Sequence, residues 1–310
     1  MNRIQITNNI EKINIVFCFD VKMFDPACVT IASLLDTKAE EDIFAIFCIV
    51  DCESMRHKYV IEDIVKKRDS RSSITFFVDT GVFDKAYETR GITKATYSRF
   101  LIHEMLMEKS KAIYADVDVL FCGSVRNLWD TDLAGYYLAG VKGTNNFEDK
   151  WERYKKYSYY SELERVKGQY INAGVLLLNL DLIREKGISE EWNKRAKMEY
   201  EYQDQDIINI TCANKIKILP LRYNVAAYLT PRWFKKYFSQ GIYPKDECKK
   251  AYKQPTIIHY AGGKPWTHRD THRADTWWNY VQSQDDLKLF FGTKKKNYIN
   301  RLYLLLKNSK

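Results

Sequence analysis

Three short apolar runs, each closed by an aspartate, constrain this 310-residue chain most: residues 13–19 before Asp20, residues 43–50 before Asp51, and residues 74–78 before Asp79. They are rich in β-branched and aromatic residues and short, so each is predicted to be a strand, the first of them buried. Between them, residues 26–36 place apolar positions at helical spacing and residues 54–67 read as a charged helix. Strands alternating with helices imply an α/β fold with a mostly parallel central sheet covered by helices on both faces. Such sheets bind ligands beyond the carboxyl ends of their strands, where Asp20, Asp51 and Asp79 stand, although strand-end acids also begin turns.

The pattern continues with a helix predicted over 93–109, strands over 111–114, 136–141 and 174–180, helices over 182–200 and 205–212, and a late strand over 256–259. No fixed-period repeat interrupts it, and no linker stands out before residue 275. A catalytic domain over residues 1–275 and a C-terminal basic helical region over 276–310 are the expected organisation.

Charge separates these two parts. The net charge is +9, and residues 294–310 hold six basic residues with no acid, which leaves the body at +3. A near-balanced body without a recognisable binding module argues against nucleic acid as a partner. In the tail, Tyr298, Ile299, Leu302, Tyr303, Leu305 and Leu306 recur at helical spacing among basic residues, which suits a helix lying on an anionic membrane surface. No run of about 18 apolar residues occurs, so no membrane-spanning helix is expected. The seven cysteines are odd in number and several lie inside apolar runs, which fits reduced thiols in a cytoplasmic protein.

Chemistry concentrates in four places. Asp116-Val117-Asp118 directly follows an apolar strand, and two carboxylates in so apolar a run are costly to bury unless paired or metal-bound. Hard oxygen ligands suit Mg²⁺ or Mn²⁺, and an ion held there can bridge the phosphates of a nucleotide-sugar. His259 ends the late strand and precedes YAGGKPW. There a neutral imidazole can ligate a metal, Gly262 and Gly263 permit close backbone approach, and Lys264 suits a phosphate oxygen. Tyr202 to Asp206 opens a helix, where acids favour the dipole and where Asp204 and Gln205 are candidates to face a cleft. Asn172, in YINAG, offers both donor and acceptor to sugar hydroxyls. The polar, aromatic stretches 145–167 and 231–253 are candidate rims for a carbohydrate cleft, in keeping with a 14% aromatic content that includes 22 Tyr.

In order along the chain stand Tyr97-Ser98-Arg99, IYADVDVL at 113–120, LWDTDL at 128–133, YINAGVLLLN at 170–179, YQDQDI at 202–207 and HYAGGKPW at 259–266. In this order they resemble glycosyltransferase family 8, in particular its bacterial lipopolysaccharide galactosyl- and glucosyltransferases, over about residues 13–270. The resemblance implies a GT-A fold and transfer with retained anomeric configuration from a UDP-hexose to a glycan acceptor that is lipid-linked, at the inner face of the cytoplasmic membrane. It implies Asp116, Asp118 and His259 as ligands of Mn²⁺, with Mg²⁺ as the alternative ion. It further implies Asp20 as the uracil contact and Arg99 as the bridge between diphosphate and donor sugar. Asn172, Asp204 and Gln205 would be donor-sugar and reaction-centre residues, and Lys264, beside Gly262, the diphosphate clamp. Two features depart from the family. One residue rather than two separates Gly262 from Lys264, and no acid follows the strand over 136–141 where related galactosyltransferases place one, which leaves glucose and galactose both open.

The turn after the first strand lacks G-x-G-x-x-G, which disfavours a dinucleotide enzyme, and no P-loop occurs. His103-Glu104 begins a zinc-protease motif that fails at Met107. A sugar nucleotidyltransferase and a non-catalytic sugar-nucleotide binder remain the alternatives.

Overall fold

All seven residues of the first strand, β1 (Ile13–Phe19), are buried, yet neighbours along it face different cores. Ile13, Ile15, Phe17 and Phe19 join one apolar cluster and Val16 and Cys18 another. That period of two, with both faces apolar, marks a strand covered on both sides. The computed structural model describes residues 11–51, 55–79, 81–88, 94–268 and 270–288.

The remaining strands are β2 (Phe44–Val50), β3 (Ser73–Val78), β4 (Lys111–Ala115), β5 (Val119–Phe121), β6 (Leu138–Lys142), β7 (Ile171–Asn179), β8 (Ile216–Ile218), β9 (Val225–Ala226) and β10 (Ile257–His259). Seven of them form the central sheet in the order β3-β2-β1-β4-β7-β6-β8. β7 alone runs against its two neighbours; the other pairings in this sheet are parallel. The expected mixed, mostly parallel α/β sheet is what forms. A small second sheet, β5-β10-β9, lies beside it.

On one face, helix Phe24–Asp36 packs almost entirely buried against the sheet. Its Thr30 hydroxyl reaches the carbonyls of Val117 and Val119 at 2.8 and 2.7 Å, and its Ser33 hydroxyl accepts from Phe121 N at 3.1 Å. The turn between β4 and β5, which holds Asp116 and Asp118, is therefore pinned to this helix by side-chain hydrogen bonds. On the same face, helix Ala274–Ser283 buries Trp277 and Val281 in the first cluster, and Tyr280 donates to Asp36 at 2.6 Å. Arg68 pairs with Asp286 at 2.7 Å.

Two helix expectations need correction. The helix read over 182–200 is two helices, Leu180–Glu185 and Ile188–Arg195, because Gly187 between them adopts φ +62° and turns the chain. The helix read over 93–109 is mostly a 3₁₀ helix, Lys94–Leu101, followed by one short α turn, Ile102–Met105. Within it the Thr96 carbonyl is engaged by Arg99 Nε at 2.8 Å. The amphipathic helix expected over 297–310 lies outside the described residues. Among the described residues no helix is long and apolar enough to cross a membrane.

Replacing Thr30 by Val keeps its shape but leaves two buried carbonyls without their hydroxyl donor. Urea unfolding of Thr30→Val is expected to show a loss of about 1–3 kcal/mol; an unaltered midpoint would mean that the hydroxyl does not anchor the turn.

Candidate active site

β4 delivers Asp116 to the carboxyl edge of the sheet, where its N–H donates to Gly174 O at 2.9 Å. The chain then turns into β5, which pairs antiparallel with β10 so that His259 lies opposite Val119. Tyr260 N donates to Asp118 O at 2.9 Å and locks that register. Backbone pairing thus brings together residues more than 140 positions apart: His259 Nε2 lies 3.2 Å from Asp118 Oδ1 and 3.6 Å from Asp116 Oδ2. One ligand atom from each of the three residues falls within 4.8 Å of the others, a set that could hold a metal ion.

The chemistry of this set fits a divalent cation. Asp118 Oδ1 is buried and accepts no hydrogen bond. Asp118 and His259 are 8% and 3% exposed, so water does little to screen the charge. Lys264 Nζ ion-pairs with Asp118 Oδ2 and donates to Tyr260 O at 2.7 Å. Burial pushes the Asp118 carboxyl up, but Lys264 and His259 outweigh it and hold the group well below the usual carboxylate range. Asp118 is therefore an ionised oxygen ligand at neutral pH. The space is tight: a Cβ on Gly174 would lie 2.2 Å from His259 Cε1 and 2.9 Å from Asp116 Oδ2. Only glycine lets β7 pass so close behind His259 and Asp116.

Arg99 ties this centre to its neighbour. Its guanidinium is buried, lies 4.5 Å from the centre of the Tyr114 ring, and pairs with Asp116 at 3.0 Å and Asp204 at 3.2 Å while donating to Ala173 O at 2.7 Å. Tyr114 also donates to Asp116, at 2.5 Å. Burial raises the Asp204 pKa to about 6, against the pull of Arg99 and with Asp116 adding to the rise.

The reaction-centre candidates meet at an irregularity in β7. Pairing with β6 runs from Gly140↔Leu176 directly to Val141↔Asn172, so residues 173–175 bulge out of the ladder. The bulge frees two backbone donors: Ala173 N to Gln205 Oε1 at 3.1 Å and Gly174 N to Asn172 Oδ1 at 3.0 Å. Asn172 Nδ2 also donates to Gln205 Oε1, at 2.9 Å. Gln205 sits near the start of helix Gln203–Thr211, whose first residue adopts φ +45° and is fully buried. A non-glycine residue in that conformation stores strain, which such sites often carry.

Three residues of the site escaped the sequence reading. Asn224, just before β9, accepts from His259 Nδ1 at 2.9 Å and donates to Asn172 at 2.8 Å. Asp206 is fully buried and accepts from Tyr170 at 2.5 Å, Tyr159 at 3.2 Å, Tyr154 at 3.3 Å and Tyr202 N at 2.9 Å. Tyr170 in turn accepts from Gln205 Nε2 at 3.0 Å. Only the acid in the first helical turn was visible beforehand; nothing in the spacing marks Asn224 as the partner of His259 or the tyrosines as the partners of Asp206.

The other expected residues take different places. Asp20 Oδ1 accepts from Lys22 N and Met23 N at 3.0 and 3.2 Å, capping the turn after β1, and Asp51 accepts from Val21 N at 3.1 Å. Asp20 stands at the carboxyl end of the strand next to β4, outside the three-residue cluster. Gly262 is exposed, with Tyr228 beside it; a Cβ there would meet that ring at 3.5 Å. The supposed rim aromatics Trp151, Tyr154 and Tyr159 are buried, not rim, because their hydroxyls and rings complete the core around Asp206. The two rim segments do meet elsewhere. Phe147 stacks on Trp233 at 5.6 Å, and a cavity of about 520 Å³ is lined by Asp149, Arg232, Trp233, Lys235, Lys236 and Ser239.

Comparison with known proteins agrees with this geometry. The family model for glycosyl transferase family 8 matches residues 14–270. A relative from Haemophilus influenzae is 34% identical over 193 residues, covering 57% of this chain and 50% of its own length, so the chain spans half of that protein. The lipopolysaccharide 1,3-galactosyltransferase of Salmonella typhimurium is 26% identical over 266 residues, covering 83% of this chain and 73% of its own. Among solved structures, the galactosyltransferase LgtC in complex with donor and acceptor sugar analogues superimposes with a TM-score of 0.70 at 24% identity, over 91% of this chain and all of that one. The fold is therefore GT-A.

Asp204 makes stability depend on pH. Its ordinary value is 3.8 and its value in the folded protein is about 6, so between those limits the native state holds a proton that the unfolded chain has released. Stability from this group is therefore greatest at low pH, falls as pH rises through the window by at most about 1.4 kcal/mol per unit, and is level above it. Urea titrations from pH 4 to 7 should show that slope in the wild type relative to Asp204→Asn. Parallel profiles would assign the carboxyl an ordinary titration.

Proposed function

This chain belongs to glycosyl transferase family 8, and from that premise we propose that it is a retaining, Mn²⁺-dependent glycosyltransferase that moves a hexose, glucose or galactose, from a UDP-sugar to a lipopolysaccharide or other glycan acceptor. The observation that carries the metal reading is the pair of candidate ligand atoms, His259 Nε2 and Asp118 Oδ1, 3.2 Å apart in the protein interior beside Asp116. Two carboxylates and one imidazole form a mixed oxygen and nitrogen set of the kind Mn²⁺ accepts. Bound there, the ion would supply Lewis-acid neutralisation of the departing diphosphate.

The chain's own groups would do the rest. Lys264, on its flexible stem after two glycines, is within reach of Asp118 and provides a point charge for a diphosphate oxygen. Asp20 would contact uracil at the edge of β1. Arg99 is committed to Asp116 and Asp204 and so holds the metal side and the sugar side in one frame. Gln205 presents a neutral amide held by two donors from β7, which makes it a poor nucleophile and a suitable electrostatic stabiliser of positive charge at the anomeric carbon. With Asn172 and Asp204 beside it, positioning and charge stabilisation would supply the catalysis: the acceptor hydroxyl would attack the anomeric carbon from the face that the diphosphate leaves as its bond to that carbon breaks, and a departing phosphate oxygen would take the hydroxyl's proton.

The cavity around Trp233 suits the acceptor. It combines an aromatic ring with Arg232, Lys235 and Lys236, and its Trp233 contacts Tyr228, which adjoins Gly262. A glycan bearing phosphate or carboxylate matches that lining. The Salmonella relative acts on lipopolysaccharide, and a lipid-linked acceptor would bring the enzyme to an anionic membrane surface, to which the basic segment 294–310 would bind.

Two experiments test these readings. In a panel of sugar nucleotides with Mn²⁺, UDP-hexoses are expected to release UDP, excess EDTA to stop release, and Asp118→Ala to lower it at least a thousandfold; turnover that survives chelation refutes the metal role. Separately, removal of residues 294–310 is expected to weaken co-sedimentation with phosphatidylglycerol vesicles several-fold while UDP release in solution persists. Equal sedimentation of the two proteins would remove the membrane role from the tail.

A further inference from the structure

Backbone N–H groups can only donate, and in this site two of them dictate the orientation of every side chain in a connected row. Gly174 N donates to Asn172 at 3.0 Å, so the Asn172 oxygen must face it. Ala173 N donates to Gln205 at 3.1 Å, so the Gln205 oxygen must face β7. The Asn172 amide nitrogen is thereby directed at Gln205 Oε1, at 2.9 Å. The Asn172 oxygen accepts a second bond from Asn224, at 2.8 Å, which turns the Asn224 amide nitrogen toward Asn172. What remains for His259 is the Asn224 oxygen, 2.9 Å from Nδ1.

An amide oxygen has no proton to give, so Nδ1 of the neutral imidazole must carry it. The proton is then absent from Nε2, the nitrogen that faces Asp118 at 3.2 Å and Asp116 at 3.6 Å. Reversing the Asn224 amide would set its oxygen against the oxygen of Asn172, and reversing both would set an amide nitrogen against the Gly174 N–H. The row continues in one sense to its far end. Gln205 donates to Tyr170 at 3.0 Å and Tyr170 donates to Asp206 at 2.5 Å. Asp206 ends the row by taking donors only.

We infer that Asn224 is a positioning residue that fixes the Nδ1–H tautomer of His259 and so keeps Nε2 available to a divalent cation, and that Asn172 couples this setting to Gln205. Asn224 is suited to the task by its place: it is buried and leads into β9, whose Ala226 pairs with His259 in parallel register. A partner on the outer nitrogen of a metal-binding histidine ordinarily sets ring orientation and basicity, and its loss weakens metal affinity 10–100-fold. The tautomer follows from hydrogen bonding alone; the consequence for affinity rests on the metal role proposed above.

The two parts separate experimentally. Long-range ¹⁵N–¹H correlation spectra of the full chain without metal, at alkaline pH and with His259→Gln used to assign the ring, are expected to show Nδ1 protonated; an Nε2–H ring overturns the inference whatever the protein catalyses. Calorimetric titration with MnCl₂ then compares variants. Asn224→Leu should weaken Mn²⁺ binding 10–100-fold and release the tautomer, whereas Asn224→Asp, which keeps an acceptor on Nδ1 but sets an oxygen against that of Asn172, should retain the tautomer and bind Mn²⁺ more tightly than Asn224→Leu. Wild-type affinity in Asn224→Leu, or equal loss in both variants, refutes the positioning role. Should wild type itself fail to bind Mn²⁺ while its ring is Nδ1-protonated, the metal reading falls and the tautomer assignment stands.

Discussion

Keeping Asp118 and His259 3.2 Å apart out of water is the constraint on which the rest of the molecule depends. A buried carboxylate with only apolar surroundings would take up a proton or unfold the region, because its desolvation costs several kcal/mol. Here the negative charge is shared out. Lys264 pairs with Asp118, and Arg99 spans Asp116 and Asp204. The two acids of this turn thus have separate cations.

Backbone carries as much of this arrangement as charge does. The β5–β10 pairing sets His259 beside the turn, Thr30 and Ser33 hold the turn from beneath, and the bulge in β7 turns Ala173 and Gly174 into donors aimed at side chains. A regular strand would have spent those N–H groups on its neighbours β4 and β6. Local irregularity in the sheet is therefore what polarises the row from His259 to Asp206. The same irregularity explains why a site with three amides and one imidazole has a single hydrogen-bonding pattern. Asn172 and Gln205 each meet a backbone N–H that admits only one orientation, and Asn224 takes its orientation from Asn172.

Much of the architecture was legible in the chain itself, for reasons that apply residue by residue. β1, β2 and β3 are fully or partly buried runs whose β-branched and aromatic content excludes other states, and the order of helices and strands then leaves few topologies. The three clustered residues could be named because two acids inside an apolar run, and a histidine closing another, are costly anomalies. Helix ends and helix type were less legible. Nothing in the periodicity of 182–200 reveals that Gly187 turns left-handed, and the 3₁₀ form of Lys94–Leu101 depends on contacts that Arg99 makes with distant residues. Within the stretch 145–167, Trp151, Tyr154 and Tyr159 were misread as rim, because composition cannot tell a ring that faces sugar from one that packs in the core around a buried carboxylate.

By itself the sequence determined the period-two strands, the alternation that builds a parallel sheet, the costly placement of Asp116, Asp118 and His259 in or at the end of apolar runs, and the basic character of residues 294–310, since each is a local property of residue type and spacing. Tertiary structure alone decided that Asn224 stands behind His259, that Arg99 is shared between Asp116 and Asp204, and that Asp206 collects three tyrosines. Those pairings join segments far apart in the chain, and hydrogen-bond direction is set by the geometry of both partners, which no single stretch of sequence contains.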